Sequence, residues 1–170
     1  IIVRPIADGG EGTIDALVEA MSGSLVTIEV LGPLGKPILA RYGFVSSSNL
    51  GIIEMSEASG LDLVPIDKRN PLYTTTYGVG QLIKDAVSKG VRNFIIGIGG
   101  SSTIDGGVGM LQALGFDFLD VSGNQIPFGA IGLKQLRKID TSNIMPELSA
   151  CFFNIACDVH NVLCGKNGAS

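Results

Sequence analysis

The stretch Arg92–Gly115, RNFIIGIGGSSTIDGGVGMLQALG, decides the fold class. Phe94, Ile95 and Ile96 follow one another without polar alternation, so Arg92–Ile98 reads as a strand buried on both faces. Gly109–Leu114 reads as a short helix, and Gly115 stops it. Between the two, Gly97–Gly109 holds six glycines, the hydroxyls of Ser101, Ser102 and Thr103, and the carboxylate of Asp105. Glycines admit positive φ and close approach of a ligand to the backbone, and amides at the start of the next helix can hold an anion. A tight turn whose glycines only relieve crowding is the plainer reading. The concentration of hydroxyls and glycines around Asp105 favours a ligand loop instead.

On either side, strand-like and helix-like patterns alternate, which is the signature of an α/β protein. Ile14, Leu17, Val18 and Met21 form the apolar stripe of a helix over about 12–21, with Gly23 beyond it. Three β-rich runs follow, Leu25–Val30, Ile38–Val45 and Gly51–Met55, separated by Pro33 and Gly35 and then by Ser46–Asn49. They suit a small antiparallel meander. A second helix spans about 77–89, with Val79, Leu82, Ile83, Ala86 and Val87 inward, Thr76 as candidate N-cap and Gly90 as stop. Residues 116–136 are punctuated by glycine and take no assignment, and Asn154–Ala156 lies in a last strand.

Other polar clusters stand beside these elements. Ala7–Thr13 places Asp8 and Glu11 before the first helix, where carboxylates could hold Mg²⁺ through waters. They could equally serve the helix dipole, with Thr13 as cap. Asp158 and Asn161 follow the last strand, and strand ends are where α/β proteins place ligands. The only histidine, His160, reads as a surface residue in that polar loop. Glu54 and Glu57, near Ser59, read as a solvated turn. The hydroxyls of Thr74, Thr75 and Thr76 either meet a ligand or cap the next helix. Carboxylates, hydroxyls and a glycine loop suit phosphoryl transfer, although lysines are scarce near these clusters.

Composition removes several function classes. The chain is 45% hydrophobic and 16% charged with a mean hydropathy of +0.40. No apolar run nears the roughly 20 residues of a membrane helix. Net charge is −4 and the basic residues are scattered, so no stripe exists to neutralise a nucleic-acid backbone. Cys151, Cys157 and Cys164 match no zinc spacing and suit a reducing cytoplasm. The loop is no dinucleotide fingerprint, because Ser102 stands at the third glycine position after Gly97 and Gly99. Nor is Gly165-Lys166 a P-loop, since Asn167 follows it and His160 occupies the first glycine position. These failures argue against a nicotinamide-dependent oxidoreductase, the weaker of two alternative readings.

The clusters, in their order, resemble the bacterial glycerate kinase family. The matching segments are Ala7–Thr13, Ile53–Leu61, Thr74–Gly80, Ile95–Gly115 and Ala156–Ser170, so the resemblance runs over nearly the whole chain. It implies an enzyme that phosphorylates D-glycerate with ATP and Mg²⁺, at the 2-hydroxyl, in a cleft of a two-domain α/β kinase. Residues 1–24 would belong to a Rossmann-like domain and 25–170 mainly to a second mixed α/β domain. Most of the Rossmann-like domain would lie outside the chain, as would the family's opening segment and its later glycine-rich segments.

Carried over by position, Asp105 would be the general base or a metal-orienting carboxylate, and Asp8 would be catalytic beside it. Asp8 and Glu11 would hold the metal. Substrate would meet Gly99, Gly100, Ser101, Ser102, Thr103, Gly106, Gly107, Asp158 and Asn161. A cytoplasmic protein without nucleic-acid or membrane partners is expected, associating with itself through an apolar cleft face. Ile104 stands where the family usually has Asn, and His160 and Val162 replace Thr and Pro. The first alternative therefore remains a non-catalytic module that binds a small organic acid.

Overall fold

The computed structural model describes residues 9–157 together with Val159, Asn161, Val162, Gly165, Lys166 and Gly168. In chain order the regular elements are α1 (Thr13–Ala20), β1 (Ser24–Leu31), β2 (Pro37–Val45), β3 (Leu50–Glu54), α2 (Met55–Ser59), α3 (Tyr77–Ser88), β4 (Asn93–Gly97), α4 (Val108–Ala113), β5 (Asp117–Leu119), β6 (Lys138–Asp140) and β7 (Phe152–Ala156). The first three strands form the expected antiparallel meander. β3, β4 and β7 then run parallel, so the main sheet is mixed with order β1-β2-β3-β4-β7. Residues 116–136, unassigned from sequence, contain β5, which pairs with β6 in a separate two-stranded ribbon. They also hold a 3₁₀ stretch, Ala130–Gln135. Strands of three residues are too short to show a period.

Period and burial agree along the central strands. Ile53, Phe94 and Ile96 face α3 and join Val79, Leu82, Ile83 and Val87 in the larger core. Ile52, with Val45 and Leu50, faces α1 and packs on Ile14. Two-sided burial is why Phe94–Ile96 shows no alternation. Burying each large aliphatic side chain of α3 contributes roughly 1.5–3 kcal/mol before conformational entropy is charged against it. Tyr42 is also deep in this core, its hydroxyl donating to Asp85 at 2.7 Å. Burial, helped by that bond, holds its phenol above the ordinary range. At the far edge of the sheet, β7 is apolar yet open, with Phe152 69% and Ile155 55% exposed.

α3 and α4 touch through glycine. A Cβ on Gly80 would stand 2.2 Å from the Met110 carbonyl oxygen and 2.7 Å from Ala113 Cβ, well inside contact distance. Alanine is the better helix former by about 1 kcal/mol, but overpacking costs about 1–3 kcal/mol. Gly80→Ala is therefore expected to destabilise the protein, lowering the denaturant midpoint without changing the slope of the transition.

Candidate active site at the carboxyl ends of the parallel strands

β3, β4 and β7 all deliver their C-terminal ends, Glu54, Gly97 and Ala156, to one edge of the sheet. The glycine loop leaves β4 there. A Cβ on Gly97 would lie 2.6 Å from the Gly9 carbonyl oxygen, and one on Gly99 would lie 2.6 Å from Gly10 Cα. Gly99 N–H donates to that Gly9 carbonyl at 2.9 Å. The first and second glycine clusters therefore cross at backbone contact. Only glycine permits this approach.

Beyond the crossing, the loop is held from two sides. Leu61 N–H donates to the Gly100 carbonyl at 2.9 Å, and Ser102 donates from both its amide and its hydroxyl to the Ser59 carbonyl at 2.8 and 2.9 Å. Thr74 Oγ1 donates to the Ser102 carbonyl at 2.7 Å. Gly106 and Gly107 then turn the chain with φ of 64° and 77°, the second at the start of α4. Ser101 and Thr103 pair their hydroxyls at 2.6 Å on the loop's half-exposed side.

Asp105 is the keystone of the turn. It is 1% exposed, and both its oxygens accept bonds from the protein. Oδ1 takes Gly107 N–H at 3.0 Å and Oδ2 takes Thr76 N–H at 2.9 Å and Gly109 N–H at 3.2 Å. Thr76 Oγ1 lies 3.0–3.1 Å from the two oxygens. A general base needs a lone pair within reach of the substrate hydroxyl, and here both oxygens of the buried carboxylate are engaged by four donor groups of the protein. The geometry suits a positioning residue that joins the loop to the start of α3. Thr76 in turn does not cap α3 with its side chain, because Oγ1 is engaged by Asp105 and by Met110 N–H. Thr75 Oγ1 accepts from Tyr77 N–H instead. All three threonines are buried, and their hydroxyls are bonded within the protein.

Two further expectations are corrected. Glu54 is no solvated turn residue: it is 3% exposed and takes Gly12 N–H at 3.3 Å, Ile14 N–H at 3.0 Å and the Ser56 hydroxyl. It therefore caps α1 from 40 residues away. Thr13 is no cap, since its hydroxyl donates back to the Gly10 carbonyl. Glu57 binds the backbone and guanidinium of Arg41, which also reaches Asp15. Hydrogen bonding to Glu57 holds Arg41 above its ordinary range despite partial burial, so this cation is already engaged.

Of the expected ligand contacts, the structure gathers Gly99, Gly100, Ser101, Ser102 and Thr103 along one edge, with Gly106 and Gly107 at the α4 end. Asn161 is exposed beyond β7. Asp8, Asp158 and His160 lie outside the described residues. Among the described residues no three acidic, His or Cys side chains group to hold a metal. Glu11 faces Gly100, where a Cβ would come within 3.4 Å of Glu11 Oε1. Nucleotide-borne Mg²⁺ is commonly held by only one or two carboxylates, with waters and phosphates completing the shell. An exposed Glu11 fits that mode.

Two hollows flank the loop. One of about 270 Å³ has Glu11, Arg41, Glu54, Ser56 and Glu57 in its wall. The other, about 290 Å³, is bounded by Arg69, Thr74, Ser101, Thr103 and Ile104. No local pattern marks Arg69, which lies 32 positions before Ser101 in a turn. Its only sequence signal was its charge.

Comparison with known proteins places this geometry. The model of the family described as "Glycerate kinase family" matches residues 1–170. A glycerate kinase of Haemophilus influenzae is 52% identical over 98% of this chain, and a glycerate 2-kinase of Escherichia coli K12 is 50% identical over 98%. In each case the match covers 44% of the relative. The crystal structure of a putative glycerate kinase 2 from Salmonella typhimurium LT2 superposes with a TM-score of 0.92 at 53% identity, over 97% of this chain and 44% of that one. The chain thus spans less than half the length of these relatives.

Proposed function

This chain belongs to the glycerate kinase family, and on that premise we propose that the intact protein transfers a phosphoryl group from ATP to a hydroxyl of D-glycerate. The product is a phosphoglycerate, and the relative named glycerate 2-kinase favours 2-phosphoglycerate. The observation that carries the proposal is the convergence of the two glycine clusters at the carboxyl ends of three parallel strands, the usual ligand edge of an α/β sheet. In the reaction the glycerate oxygen bonds to the γ-phosphorus, the bond from that phosphorus to the bridging oxygen breaks, and ADP leaves. The hydroxyl proton passes to a base.

The chain's own residues supply positioning, which dominates phosphoryl transfer. Loop amides that bond to nothing among the described residues, those of Gly100 and Gly106, and the hydroxyls of Ser101 and Thr103 orient the acid. Asp105 keeps that loop in shape, and Asp8 is the second carboxylate proposed for catalysis. Glu11, with Asp8, would hold Mg²⁺, which neutralises phosphate charge when bound. Asp158 and Asn161, which follow β7 in the sequence, are proposed as further substrate contacts. The Rossmann-like part ends near residue 24, with 25–170 mainly in the second domain, and α1 rests on β2 and β3 across that boundary. No helix among the described residues is long and apolar enough to cross a membrane, and a cytoplasmic, self-associating enzyme is the proposed setting.

Ile104 favours a second reading. It stands in the wall of the hollow where the family usually has an amide, and a module that binds the acid without turning it over would tolerate that change. A coupled assay on the intact protein with ATP, Mg²⁺ and D-glycerate separates the two. Glycerate-dependent ADP release with a phosphoglycerate product is expected. Binding of glycerate by a folded protein without ADP release would leave the binding module in place.

A further inference from the structure

We propose that Arg69 and the Ser101–Thr103 hydroxyl pair form the subsite that takes the carboxylate of the substrate acid. This rests on the glycerate kinase reading and names the contact that selects an acid over a neutral polyol. Arg69 is held in place by the same strand-end framework as the loop. Its Nε–H donates to the Val64 carbonyl at 3.2 Å and Nη2 to the Leu61 carbonyl at 3.5 Å. Leu61 itself donates to the Gly100 carbonyl, and Gly60 bridges to Ser101. The guanidinium is thereby registered against the glycine loop through two short links.

A guanidinium has five N–H donors, so the two bonds to carbonyls leave three. No carboxylate pairs with Arg69 among the described residues, whereas Arg41, on the other side, has two such partners. The same hollow is lined by Ser101 and Thr103, their hydroxyls bonded to each other at 2.6 Å, with Thr103 N–H donating to Ser101 Oγ. Thr74 and Ser102 also reach this hollow, but their hydroxyls already donate to backbone carbonyls. Ile104 supplies the apolar side. A fork of donors and a hydroxyl pair lining one hollow match a carboxylate. At about 290 Å³ the hollow suits a three-carbon hydroxy acid and is small for a whole nucleotide. A phosphate group shares the same anionic chemistry, so the test must separate the acid from ATP.

The experiment compares the intact protein with its Arg69→Ala and Arg69→Lys variants. Arg69 is exposed, and neither variant is expected to alter folding. Kinetics give KM for D-glycerate and for ATP, and calorimetry gives binding of D-glycerate and of glycerol, which lacks the carboxylate. The expected result is a KM and Kd for D-glycerate raised about 10- to 100-fold in Arg69→Ala, the range for a lost charge-assisted bond. KM for ATP and the weak binding of glycerol should stay put, and Arg69→Lys should recover only part, since it keeps the charge but loses the fork. A rise confined to KM for ATP would reassign the residue to the nucleotide and overturn the proposal, as would unchanged constants in both variants. If the unaltered protein binds glycerate through Arg69 without phosphorylating it, the subsite stands and the kinase reading falls. If it turns glycerate over with Arg69→Ala unaffected, the reverse holds, and neither turnover nor binding would remove both.

Discussion

Asp105→Ala should lower the stability of the intact protein by about 3–5 kcal/mol and abolish measurable turnover. The change leaves the amides of Thr76, Gly107 and Gly109, together with the Thr76 hydroxyl, facing a buried void. Each buried donor left without an acceptor costs about 1–3 kcal/mol, and partial relaxation of the loop returns some of the total. Asp105→Asn is the more informative variant. It conserves shape but puts an NH₂ group where one oxygen now accepts N–H bonds from two directions. Donor then faces donor, and a loss of about 2–3 kcal/mol is expected. Denaturant unfolding followed with steady-state kinetics checks the assignment. A positioning role predicts an earlier unfolding transition and a raised KM for glycerate together with the fall in kcat, because the loop that orients the acid loosens. A variant with unaltered unfolding and KM but a collapsed kcat would restore Asp105 to the general base.

Glu54→Ala is expected to cost about 2–4 kcal/mol. Glu54 serves two amides of the first turn of α1 and the hydroxyl of Ser56, and its removal leaves three donors with no acceptor near the protein interior. The first glycine cluster precedes that turn, so the loss extends to the crossing of Gly9 with Gly99. Amide hydrogen exchange at Ile14 and Gly99 should quicken together, well before global unfolding. Glu54→Gln keeps one acceptor oxygen and should lose about half as much stability. If Ile14 exchanged as slowly in Glu54→Ala as in the parent protein, the capping role assigned here would be wrong.

These two carboxylates also mark the limit of what residue patterns could reveal. The helices over 12–21 and 77–89, the meander and the strand through Phe94–Ile96 were all legible, because each is written in a local period or a punctuating glycine. The glycine loop was legible as a strand-to-helix connection for the same reason, and it lies at the end of β4. Glu54, by contrast, reads as part of a solvated turn, and Asp105 as a general base or metal-orienting carboxylate with no sign of the bonds that bury it. Their partners lie 40 and 29 positions away, and no local pattern reports a bond across that distance. Arg69 escaped notice for a related reason. Its relation to Ser101 depends on the Leu61–Gly100 and Gly60–Ser101 links, which only form once β3 and β4 lie side by side.

What the sequence determined by itself, then, was the set of elements, the α/β class and the position of the backbone loop that can approach a ligand. Those follow from steric and hydrophobic rules acting over a few residues at a time. Tertiary structure alone decided which polar side chains remain available for chemistry. A carboxylate or guanidinium is removed from service or left open according to which distant amides, carbonyls and charges are packed against it, and burial makes each unmet donor too costly to leave alone. That accounting closed Asp105, Glu54 and Arg41 and left Arg69 beside the loop.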